Sequence, residues 1–71
     1  MKVSSKQAEK LLRGDHKFSQ LGFSMMITRL KGAYSENASQ ESLQKLTGEI
    51  NTFLDKFGNI MAKDFEIIEK L

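Results

Sequence analysis

An all-α fold is what this 71-residue chain predicts, and three observations predict it. The sequence has no proline, its apolar residues recur at helical spacing in both halves, and nothing beyond residue 5 alternates with the period of a strand. Length allows one domain, residues 1–71, with a small core. Cysteine is absent, so neither a disulfide nor a Cys-based zinc site can staple that core, and stability must come from helix packing or from a partner chain.

The first helix is expected over about residues 5–31. Projected at the helical angle, Ala8, Leu11, Leu12, Phe18, Leu21, Phe23, Met25, Met26, Leu30 and Ala33 share one broad arc, and the phase survives Gly14 and Gly22. Gly14 followed by Asp15 also reads as a helix stop followed by an N-cap, which would split this segment and give a three-helix bundle. A loop is expected over about residues 32–39, where Gly32 suits a C-terminal cap and Asn37 or Ser39 an N-cap.

The second helix is expected over about residues 40–70. Leu43, Leu46, Ile50, Phe53, Phe57, Ile60, Asp64, Ile67 and Leu71 follow the alternating three-four spacing of a coiled coil, apolar at every position except Asp64. Leu54, Met61 and Ile68 form a second line beside them. A stripe that wide fits a helix with at least two neighbours.

Helices of roughly 27 and 31 residues would form a hairpin about 40 to 46 Å long, too thin to cover its own stripes. The expected solution is a homodimer: two antiparallel hairpins in a four-helix bundle, with Phe18, Leu21, Met25, Leu43, Leu46, Ile50, Phe53, Phe57, Ile60 and Ile67 in the oligomer core. Charged residues inside the stripes need partners, because an unpaired buried charge is costly. Asp15 and Arg29 are symmetric about Gly22, so two first helices crossing antiparallel there would pair them twice. Folding a hairpin about residue 37 would set Asp64 near Lys10.

Charge is divided unevenly. Residues 1–33 hold seven Lys/Arg and two acids, while residues 34–71 hold four Lys and seven acids. On a continuous first helix Lys6, Lys10, Arg13, Lys17 and Lys31 share one side, a candidate anion-binding strip for nucleic-acid phosphates or an acidic protein. The plainer reading is a solvated face offset by the acidic second half. Aromatic residues for base stacking are few outside the core stripes, leaving Tyr34 and Phe23.

Chemistry finds little support. His16 is the only histidine, and Ser42 and Lys45 match a Ser-x-x-Lys pair only in the first turns of a helix, where serine usually caps. Asp55, Asp64, Glu66 and Glu69 read as surface acids without metal-ligand spacing, so no cofactor or metal is expected. Arg13-Gly14-Asp15 spells an integrin-type tripeptide that the helical setting makes a coincidence. Methionines 25, 26 and 61 read as core fillers that would also suit an adaptable groove.

Without cysteine, a signal-type apolar block or an apolar run longer than three residues, the chain reads as cytoplasmic, with no membrane span. The function expected is a non-enzymatic interaction or regulatory module that self-associates and binds a protein partner. The alternative is a nucleic-acid-binding dimer using the basic strip, with peripheral attachment to anionic membranes behind both.

Overall fold

A computed structural model describes all residues, 1–71, and shows four α-helices and no strand. They are α1 (Ser5–Arg13), α2 (Leu21–Glu36), α3 (Gln40–Phe57) and α4 (Ala62–Glu69), with a 3₁₀ turn at Gly58–Ile60 joining the last two. Helices α1, α2 and α3 pack on one another, and α4 folds back beyond the 3₁₀ turn. The body measures 30 × 20 × 19 Å, far from the rod that two long helices would make.

Helix α1 begins with a reciprocal cap: the Ser4 hydroxyl accepts from the Gln7 amide, and the Gln7 side chain accepts from the Ser4 amide. Val3, just before it, is buried and held at both backbone atoms by Asn51 of α3. Ala8, Leu11 and Leu12 form the buried face of α1.

The continuous helix expected over residues 5–31 is interrupted. Gly14 ends α1 in an extended conformation, and residues 14–20 cross to α2 outside any helix. Gly14 is needed for close packing, since an added Cβ would lie 2.9 Å from the Lys10 carbonyl oxygen and 2.5 Å from His16 Nε2. The break at Gly14 is therefore present, but Asp15 is exposed and caps nothing. Gln20 caps α2 instead, accepting from the Phe23 amide at 2.6 Å.

Interrupting the helix resets its phase. Helix α2 buries Phe23, Ile27, Leu30 and Tyr34, whereas Leu21 and Met25, expected in the core, stand 71% and 64% exposed. Gly32 does not end α2; the helix runs on to Glu36, and that extra turn carries Tyr34 into the core. The connection to α3 is residues 37–39, with Ser39 as the N-cap, accepting from the Ser42 amide.

The second long helix also breaks, at Gly58–Ile60. Before the break, α3 buries Leu43, Leu46, Thr47, Ile50 and Leu54; after it, Met61 and Ile68 are buried. Four expected core positions leave the interior, three of them within α3 and α4: Phe53 and Ile67 are half-buried, and Phe57 is 42% exposed. Ile60, on the 3₁₀ turn, is 59% exposed. The reason is geometric. A straight α-helix drifts about 20° per heptad against a 3.5-residue repeat, so without a supercoil the buried line passes from the a and d positions to the neighbouring line at Leu54 and Met61.

Fourteen apolar residues, contributed by all four helices together with Val3 and Met61, make one buried cluster, so a single chain closes a core of its own where the hairpin reading assigned one to a dimer. No buried side-chain nitrogen or oxygen lacks a hydrogen-bond partner. No helix is long and apolar enough to cross a membrane.

Candidate functional site

Asp64 is the one buried charged residue, 1% exposed. Its two carboxylate oxygens accept from the backbone amides of Ser19 and Gln20, at 2.6 and 2.9 Å. These amides sit at the entrance of α2, where backbone donors have no partner within the helix. Hydrogen bonds to a charged acceptor contribute about 1.5–3 kcal/mol each, so Asp64 fixes residues 14–20 and positions the start of α2 against α4. The demand for a partner was visible in the sequence, but the partner is backbone and not Lys10, whose ammonium reaches the Leu71 carbonyl.

The expected basic strip is dispersed. Lys6, Lys10 and Arg13 lie on α1, Lys17 lies outside any helix, and Lys31 on α2 donates to the Gly14 carbonyl. Arg13 pairs with Glu9 at 3.2 Å and lies over the Tyr34 ring, 5.5 Å from its centre. The Tyr34 hydroxyl donates to the same Glu9 carboxylate. Tyr34 first and Glu9 second push the Arg13 pKa above its ordinary value, committing that cation to an intramolecular cluster. Asp15 and Arg29 share no helix, so the twofold pairing about Gly22 loses its geometric basis, and Arg29 lies 3.5 Å from Glu49 of α3.

Of the five large apolar side chains that stand exposed, four, all but Met1, belong to the start of α2, the close of α3 and the 3₁₀ turn. Gly22, in the first turn of α2, lies over the Phe53 ring near the end of α3; an added Cβ there would meet that ring at 3.5 Å. Leu21 and Met25 therefore project from the end of the molecule that also carries Phe53, Phe57 and the following Ile60. Beneath them a chain of rings runs from Phe18 through Phe23 and Phe53 to Phe57, with centres 4.9, 5.5 and 4.7 Å apart. Such offset and edge contacts hold aromatic rings firmly, so the exposed Phe57 rests on an ordered base.

Between α2 and α3 at this end runs an open groove. Met26, Phe53 and Phe57 supply its apolar lining, Gly48 and Thr52 its low wall, and Lys45, Glu49 and Lys56 its charges. Toward Ser39 a second cleft shares Lys45 and Glu49 but turns polar, lined by Asn37, Ser39, Glu41 and Ser42. The Ser42 hydroxyl and Lys45 thus belong to a polar surface cleft at the start of α3. No three His, Asp or Glu side chains come together where a metal could sit.

Several of these features left faint marks in the sequence. Ser4 and Gln7 have the spacing of a reciprocal helix cap, which marks the true start of α1. Buried Val3 and the Asn51 clamp carry no local signal, since they meet across 48 residues. Comparison with known proteins gives no match to a family model, to a curated protein or to a solved structure.

Proposed function

We propose that this protein is a non-enzymatic interaction module that binds a protein partner through the apolar end formed by α2, α3 and the 3₁₀ turn. The exposure of Leu21, Met25, Phe57 and Ile60 together at that end carries the reading, because large side chains left out of a closed core at one place characterise binding surfaces. Met25 and Met26 add adaptable, polarisable contacts. Nothing in the fold of one chain consumes this surface, since the buried cluster forms without these four side chains.

Self-association was expected because a hairpin could not cover its stripes. With the core closed inside one chain, the need for a second copy shrinks to the exposed end. Nucleic-acid binding loses much of its support for a similar reason, since Lys10, Arg13 and Lys31 are engaged within the chain.

A photocrosslinking residue placed at position 25 in the source cells tests the reading, with position 6 on α1 as control. A discrete protein adduct at position 25 and none at position 6 is the expected result. Nuclease-sensitive adducts at position 6 would support the nucleic-acid alternative, and an adduct of twice the chain mass at position 25 would assign the surface to a second copy.

A further inference from the structure

Resting on the interaction reading, the geometry of the α2–α3 groove points to a definite class of partner. We propose that the groove docks an amphipathic helix of another protein, one that carries acidic residues beside its apolar stripe. Three observations combine.

Gly48 lies in the interior of α3, where glycine costs about 1 kcal/mol relative to alanine. Nothing within the chain demands it, since an added Cβ would meet no atom within 4 Å. The position lines the groove beside Thr52 and the apolar side chains of Met26, Phe53 and Phe57. A missing side chain at the wall of an apolar groove admits the close approach of another backbone, as helix-on-helix packing requires.

Charge gives the sign of the partner. Lys45 and Lys56 line the groove and neither has an ion-pair partner, whereas the groove's single carboxylate, Glu49, is already paired with Arg29 from α2. Helix α2 itself contributes no acid before Glu36. The polar cleft toward Ser39 adds Glu41, so of the two clefts along α3 the one that reaches Phe57 combines apolar lining with uncompensated cations.

A second copy of this chain is a poor occupant. Its exposed large apolar residues are Met1, Leu21, Met25, Phe57 and Ile60, and none has an available carboxylate three or four residues away. Ile60 is four residues from Asp64, but that carboxylate is buried on the Ser19 and Gln20 amides. No helix of the chain therefore offers apolar and acidic side chains on one exposed face, and an isologous dimer would bring Lys45 and Lys56 toward their own copies.

The test is a displayed library of 18-residue amphipathic helices with a fixed Leu/Ile/Phe stripe and randomised flanks, selected on the intact protein. Binders should be enriched in Asp and Glu at the flanks and weaken at least about tenfold on Gly48→Gln, which fills the low wall without adding an apolar group. Circular dichroism should show Gly48→Gln as helical as the wild type. The double change Lys45→Glu and Lys56→Glu should turn the selected flanks from acidic to basic. Flanks that stay neutral or basic on the wild type would overturn the proposal. So would binders that ignore Gly48→Gln yet are lost on Leu21→Ser with Met25→Ser; the interaction reading would then stand and the groove would not. Sedimentation showing a wild-type dimer that Gly48→Gln dissociates would give the groove to a second copy. Failure of every library member to bind at either surface would remove both readings.

Discussion

The Asp64 junction and the groove near Phe57 answer the same problem in opposite ways. The junction spans the interruption at residues 14–20, and the groove follows α3 up to Phe57, where the 3₁₀ turn begins; both reach the end of the molecule that holds the start of α2. At the Asp64 junction the surface is sealed: a buried carboxylate takes two free backbone amides, and the start of α2 is fixed against α4. At the groove it is left open, with Phe57 exposed and Gly48 providing space. The junction is built for stability and the groove for contact. Substitutions at the two places should therefore separate into those that change unfolding and those that change binding alone.

The largest effect should come from beneath both regions. Phe23 is fully buried and touches the ring chain that runs from Phe18 to Phe53, so Phe23→Ala should cost about 4 kcal/mol in urea-induced unfolding. A loss below about 1 kcal/mol would show that the ring chain is not the shared base of the two regions.

At the sealed junction, Asp64→Ala should cost about 3 kcal/mol by the same measurement, because it leaves two amides without an acceptor. Amide hydrogen exchange should rise at Ser19 and Gln20 before it rises in α3. Protection unchanged at these two residues would contradict the role given to the carboxylate.

At the open groove the sign reverses. Gly48→Ala should raise stability by up to about 1 kcal/mol, since the new methyl group meets nothing and helix propensity improves. A destabilising outcome would mean that the glycine serves the fold rather than a partner. Smallest of all, Leu21→Ser combined with Met25→Ser should alter unfolding by no more than about 0.5 kcal/mol, because both side chains already face water. A larger loss would place them in the core after all.

Much of the secondary structure could be read locally, and particular residues show where that reading failed. Ser39 was identifiable as a cap, and Leu43, Leu46 and Ile50 as core, because caps and the first turns of a stripe depend on near neighbours. Leu21 and Met25 were assigned to the core by extending one helical phase across an interruption, and any break rotates every residue that follows; Phe57, still within α3, was assigned by a seam from which a straight helix drifts away. Ile27 shows the reverse: it falls outside the arc projected for a continuous first helix, yet α2 buries it. The groove was equally hidden, since Gly48 and Met26 come together only when α2 lies on α3.

The sequence by itself determined that this chain is helical, that its apolar content suffices for one small core, and that Asp64 must find a partner if it is enclosed. Those properties follow from composition and short-range spacing. The tertiary structure alone decided where the helices break, which line of each stripe faces inward and what Asp64 meets. Each of these depends on atoms far apart along the chain: two amides 45 and 44 residues from Asp64 seal the junction, and a closed core leaves Phe57 outside at the groove.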